Sequence, residues 1–388
     1  MSFTGENMVK VRAFPGLRAP DPESFCVKPY DVISDRELAE LRKSDNAVHI
    51  ILPEGEGEEV YANARRAFHQ VLPSLVRDPP SMYLYQESSP AFSQRGFIVA
   101  VSLEDYASGR IKKHEETREK PLKDRIKHIE ATRANTGLVW TMFRSQTELK
   151  QVMDQAMQQQ PLCDFRKFGY RHRLWRIGDS PTIQRIQSLL EGQPLYIADG
   201  HHRIAAAYEY SRHHTEEEAQ YAMVFAASDD EVRILPYNRV VTTIERPDFE
   251  EALGQYFRVE RLPQFRKPRK HEIHMYWRQQ WWRLLPWDIP EDPVASLDVS
   301  LLQNKLLAPI LGITDIRNDP RIFFVGGDLP REEYERLVDE EGNEAAFYLH
   351  PTSVQELEQV ADEQLSMPPK STWFDPKLLT GLVFHSLR

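Results

Sequence analysis

Cysteine is almost missing from this 388-residue chain: Cys26 and Cys163 are the only two, and they do not stand at CxxC spacing. That excludes a thiolate zinc cage and a secreted fold stapled by disulfides. No stretch reaches the roughly 20 apolar residues a bilayer span requires. The opening, Met1 to Arg12, lacks the apolar run of a secretory signal. The expected location is therefore cytoplasmic. Positive charge is also in short supply, with 49 Lys and Arg against 59 Asp and Glu and a net charge of −10. Nucleic-acid binders draw most of their affinity from basic contacts to phosphate. Basic runs such as Arg266-Lys267-Pro268-Arg269-Lys270 are answered here by acidic stretches, so no nucleic-acid partner is expected. A glycine-rich phosphate loop is wanting as well. Lys370-Ser371-Thr372 ends like a Walker A loop, but Met367-Pro368-Pro369 precedes it, offering no glycines and removing amide donors.

What the chain does have is ample material for a core: 41% hydrophobic residues, including 18 Phe, 15 Tyr and 7 Trp, enough for one large or two medium domains. Ser34 and Glu37 form a capping-box pattern ahead of a helix over 35–43, and helices are also expected over 61–75, from Leu122 onwards, and over 201–212, 249–256, 301–311 and 354–364. Strands are expected at 48–52, 82–85, 96–101, 194–198, 221–227, 232–235, 273–277, 281–285, 323–325 and 346–349. The mixture is α/β in the broad, α+β sense. After Pro247 the composition shifts, which suggests two regions: 1–245 as a phosphate-binding core and 246–388 as a C-terminal α/β domain.

Chemistry concentrates in Tyr196-Ile197-Ala198-Asp199-Gly200-His201-His202-Arg203. A strand, then Asp199-Gly200, then a helix from His201 leaves the first helical amides without intrahelical acceptors, at the positive end of the helix dipole. Gly200 permits a tight turn and close backbone approach. Arg203 can add a planar charged clamp, and His201 and His202 can donate to phosphate oxygens. Adjacent helical residues point about 100° apart, so the two histidines make a poor metal site and no protein-held metal is expected. A plain helix cap uses the same geometry, but five such residues in a row favour a ligand. A second group, His114-Glu115-Glu116-Thr117-Arg118 followed by Lys123-Asp124-Arg125 and His128, holds a carboxylate base, a hydroxyl and arginines, the parts that phosphoryl transfer uses. On residue types alone, a solvated charged face accounts for it more simply. Lys370, in the C-terminal segment, is a further candidate ligand contact.

The chain is similar to the bacterial and archaeal family known only as domain of unknown function 1015. The resemblance runs from about Val11 to the C-terminus. It rests on Pro29-Tyr30-Asp31-Val32, Gly109 to Glu115, Asp124-Arg125, Ala198 to Arg203, Leu235-Pro236, Arg239-Val240-Val241 and Met367 to Leu382. Two places depart from it: Asn238-Arg239 stands for a His-Arg pair, and Asn46-Ala47-Val48-His49-Ile50 for an Asn-Pro-x-Ser-Phe. More distantly, Asp199 to Arg203 resembles the phosphate box of the ParB and sulfiredoxin fold, which includes the archaeal free serine kinases.

That resemblance implies a ParB/sulfiredoxin-like nucleotide-binding core and a small-molecule kinase using ATP or ADP with Mg²⁺. The acceptor would be a small hydroxylated metabolite such as free L-serine. Asp199, Gly200, His201, His202, Arg203 and Lys370 would bind the nucleotide. Glu115 would be the base, with His114, Arg118, Asp124 and Arg125 completing the catalytic group. The alternative is a nucleotide-binding regulatory protein without turnover, related to partition-type switches. A sulfiredoxin-like redox enzyme ranks last, because that chemistry needs a cysteine where His201 stands. The expected partners are nucleotide and substrate; a second copy of the chain, as a homodimer, is left open.

Overall fold

The computed structural model describes residues 9–388, so most of the opening segment read for a secretory signal lies outside the described residues. Helices and mixed sheets form an α/β structure divided into two compact units. The first comprises Met1–Val232 together with Pro376–Arg388, the second Arg233–Asp375. The break thus precedes residue 245, and the last residues return to the first unit. The reason is strand pairing: Tyr237–Val241 forms its ladders with Ile322–Gly326 and Ala345–Leu349, all in the second unit.

The first unit is built on a nine-stranded sheet. Its strands, in chain order, are β1 (Val11–Arg12), β2 (Met82–Ser88), β3 (Ser93–Ser102), β4 (Ile111–Lys112), β5 (Val139–Phe143), β6 (Cys163–Lys167), β7 (Tyr170–Ile177), β8 (Leu195–Asp199) and β9 (Tyr221–Ser228). They lie in the order β4-β8-β5-β9-β3-β2-β7-β6, with β1 beside β3. The β4–β8 and β5–β9 pairs are parallel and the others antiparallel. Leu84, Phe97, Val99, Val139, Ile197 and Val224 help form the main core, which helices α1 (Thr147–Met157) and α2 (Ser180–Glu191) cover with Leu149, Val152, Ile186 and Leu190. A smaller sheet joins Gly16–Arg18 to Val76–Arg77 and to Val383–Ser386, which also pairs with Ala134–Asn135.

One expected strand is a helix. Val48–Ile51 forms a single helical turn that buries Val48, Ile50 and Ile51. Asn46 Oδ1 accepts the Val48 amide at 2.9 Å and turns the chain there. A five-residue apolar run is too short to show which period it follows. The expected cap at Ser34 is present, its hydroxyl accepting the Glu37 amide at 3.3 Å before helix Asp35–Leu41. In the second unit the 301–311 helix begins at Asp298 and passes from α to π winding at Gln303–Leu307. That unit has a six-stranded antiparallel sheet holding Ile273–Trp277 and Gln280–Pro286, and Trp277 and Trp281 are buried there. Among the described residues no helix is long and apolar enough to cross a membrane.

Candidate functional site

The site grows out of an irregularity in β8. Ile197 pairs with Thr141 and Asp199 with Trp140, so Ala198 is an extra residue in the ladder. With a strand period of two, Asp199 would share the face of Ile197, which lies in the apolar core. The bulge re-aims it, and its side chain is 25% exposed. Gly200 follows with φ 96°, in the left-handed region, and the helix His201–Ser211 starts at the next residue, as expected.

The Arg203 guanidinium lies across this turn. A Cβ on Gly200 would come within 2.9 Å of Arg203 Nε and 3.1 Å of Nη2. Arg203 Nη1 donates to the Leu138 carbonyl and Nη2 to Asp199 Oδ2 at 3.4 Å. Lys377 Nζ stands 3.5 Å from the same oxygen, and the Gly200 amide donates to Oδ1 at 2.9 Å. Burial opposes ionisation of Asp199, but Lys377 and Arg203 outweigh it and hold the carboxyl below the usual carboxylate range. One carboxylate against two cations leaves net positive charge at a helix N-terminus, which favours an anionic ligand.

The segment carrying Glu115 is fastened to this helix by its two histidines. The His114 amide donates to His201 Nε2 at 3.4 Å, and the Arg118 amide to His202 Nε2 at 3.0 Å. A neutral imidazole accepting at Nε2 carries its proton on Nδ1. His201 and His202, expected to donate to phosphate oxygens, thus accept at Nε2 and hold a loop. The His114 and His201 rings meet edge-on at 4.5 Å. Burial lowers both, His114 to about 4 and His201 well below its ordinary value, so both are neutral at pH 7. Half-buried Glu115 sits one residue from His114, about 3.8 Å along the chain. Arg118 is exposed and immediately precedes the helix Glu119–Thr132, with no capping bond from its side chain.

That helix carries Asp124, Arg125 and His128, and it packs along His201–Ser211. Asp124 accepts from Arg125 Nε at 2.8 Å and from the Tyr61 hydroxyl at 3.0 Å, which fixes the guanidinium 4.1 Å over the Tyr30 ring. His128, which burial lowers to about 4, bonds through Nε2 to the Ile50 carbonyl at 2.8 Å. A cleft of about 540 Å³, its mouth included, opens here, with Tyr30, Arg125, Thr136, Gly137, Arg203 and Thr380 among its walls. Arg125 and Arg203, far apart in sequence, line one space.

Lys370 belongs to the second unit, where its Nζ lies 5.3 Å over the Tyr237 ring and its carbonyl accepts from Arg239. The lysine found at Asp199 is Lys377, which residue-level reading misses. Tyr30 and Thr380 are missed likewise. All three lie inside segments on which the family resemblance rests, and that was the signal available. Among the described residues no three His, Cys, Asp or Glu side chains converge as a metal-ligand group.

A mixed-sheet α/β unit with a positively charged strand–glycine–helix turn beside a cleft is thus what the fold and site define. The chain belongs to the family described as "Protein of unknown function (DUF1015)", whose model matches residues 11–300. No curated protein matches its sequence. Among solved structures it is similar to a free serine kinase in complex with AMP (11% identity, 71% of this chain and 86% of that one, TM-score 0.41). It is similar too to SbnI with a C-terminal truncation from Staphylococcus aureus (14%, 75% and 87%, TM-score 0.42). A third is a conserved hypothetical protein from Pyrococcus furiosus (12%, 71% and 90%, TM-score 0.37). These likenesses are distant, and the functional reading rests on the site.

Proposed function

We propose that this protein is a nucleotide-dependent phosphotransferase acting on a small hydroxylated metabolite. One observation carries the reading: both histidines of Asp199-Gly200-His201-His202-Arg203 bond to the backbone of the segment that holds Glu115. A carboxylate base and an anion-binding turn are thereby tied together, and a simple helix cap has no need of this. Gly200 to Arg203 would hold the nucleotide phosphates. The acceptor oxygen would bond to the terminal phosphorus of ATP or ADP as the bond to the bridging oxygen breaks, its electron pair leaving with the nucleotide. Glu115 would take the hydroxyl proton. Arg118 and Arg125 would steady the acceptor or the transferring group, Asp124 would orient Arg125, and His114 would anchor the loop.

Magnesium at such sites commonly uses one or two carboxylates plus phosphate oxygens and water. Asp199 is already engaged by two cations, so a magnesium ion would have to arrive on the nucleotide phosphates, where it would neutralise charge. The test combines nucleotide calorimetry with phosphate transfer to a panel of hydroxylated metabolites that includes L-serine. Glu115→Ala should keep nucleotide affinity and lose about 10²–10⁴-fold in turnover. Nucleotide binding without transfer to any acceptor would favour a regulatory protein without turnover.

A further inference from the structure

We infer that the cleft between helices Glu119–Thr132 and His201–Ser211 seats the phosphate acceptor, and that this acceptor is a small hydroxy acid rather than a hydroxy amino acid. The inference rests on the phosphotransferase reading for the word acceptor, but its binding chemistry comes from the cleft alone. In a chain of net charge −10, the described cleft walls carry two guanidiniums, Arg125 and Arg203, and no carboxylate. His128 adds no charge at pH 7.

Both arginines are anchored from behind, Arg125 by Asp124 and Arg203 by the Leu138 carbonyl and Asp199. Their guanidiniums are therefore held before a ligand arrives, Arg125 with Nε and Nη2 both on Asp124 Oδ2. Little ordering cost is left to meet on binding, and a guanidinium fork matches a carboxylate. Beside them the lining is largely aliphatic, with Ile51, Ile129, Val139, Ala207 and Met223, together with the amide of Asn135. Such a lining suits a short carbon chain. The neutral hydroxyls of Tyr30, Thr136 and Thr380 remain to orient an acceptor hydroxyl.

An amino acid brings an ammonium as well. Asp124 and Asp199 are each already bonded to an arginine, so no carboxylate on the cleft wall can pair with that cation. It would lose its water without gaining a charged partner, which is costly. Arg203 also touches the Gly200 turn, so an acid held by both arginines lies next to the place assigned to the phosphates.

A matched trio tests this on the full-length wild-type protein by calorimetry: 3-hydroxybutyrate, 3-hydroxybutyramide and L-threonine, with nucleotide titrated separately. The acid should bind at least about ten-fold tighter than either relative, the size of a charge-assisted contact. Arg125→Gln should abolish the preference for acid over amide. Amide or L-threonine binding as tightly as the acid would overturn the inference. So would no binding of the trio at millimolar concentration, since the wild-type comparison does not depend on how the variant folds. Failure of nucleotide to bind, with the acid preference intact, would instead sink the phosphotransferase reading and leave the cleft chemistry standing.

Discussion

Replacing Gly200 with alanine perturbs the site at a single atom, and its consequence can be worked out from the structure. At φ 96° and ψ 28° the residue occupies a conformation that costs an L side chain about 1–2 kcal/mol. The added Cβ would also sit 2.9 Å from Arg203 Nε and 3.1 Å from its Cζ. A Cβ does not remain that close, so the guanidinium must shift against the turn, which strains its bonds to Leu138 and Asp199. One charge-assisted contact is worth about 1.5–3 kcal/mol, which sets the loss in nucleotide affinity at about ten-fold or more. The melting temperature should fall by roughly 2–8 °C, at about 2–4 °C per kcal/mol for a unit of this size. Gly192→Ala is the control, because its φ is −76° and a Cβ there meets nothing within 4 Å. It should leave both measurements nearly unchanged. Calorimetry and thermal melts on the two variants decide the matter. If Gly200→Ala binds nucleotide and melts like the wild type, the turn is not shaped around Arg203 and the phosphate assignment falls with it.

Other outcomes follow from the same geometry. Lys377→Met removes one of the two cations on Asp199 and should weaken nucleotide binding several-fold with little change in melting temperature; unchanged affinity would take Lys377 out of the site. Burial lowers His114 and His128 to about 4 in the folded state, below the ordinary 6.5. Each therefore contributes stability that is present above pH 6.5 and lost as pH falls towards 4, because the unfolded chain takes up the proton first. Melting temperature should drop across that window, and His128→Gln should make the drop shallower. A pH-independent melt from 6.5 to 4 would contradict this.

Much of the site could be read in the sequence because its parts are local. A strand, a glycine and a helix in succession are dictated by residues that adjoin one another, and Leu195–Asp199 and His201–Ser211 fall where the pattern puts them. The stretch between 134 and 193, to which the pattern assigns nothing, supplies β5, β6, β7, α1 and α2. In β7 (Tyr-Arg-His-Arg-Leu-Trp-Arg-Ile) Leu174 and the adjacent Trp175 are both buried and arginines stand at 171, 173 and 176, so no period of two runs through it. The roles of His201 and His202 could not be read either. Accepting an amide from residues 84 and 87 positions away is a property of the fold, and no neighbouring residue announces it. Lys377 and Tyr30 reach the site in the same long-range way, which local spacing cannot encode.

The return of Pro376–Arg388 to the first unit has a consequence for how the protein comes into being. Strand Val383–Ser386 joins Gly16–Arg18 to Ala134–Asn135, and Lys377 is one of the two cations on Asp199. At about 5–20 residues per second, Arg233–Asp375 occupies the ribosome for roughly 7–30 s after the first unit's other segments have emerged. Throughout that interval the nascent chain holds two strands waiting for the one that bridges them and a carboxylate short of one counter-ion. A ligand held at Asp199–Arg203 should therefore bind the completed unit more tightly than a chain cut short before Pro376, which lacks both the bridging strand and the Lys377 cation.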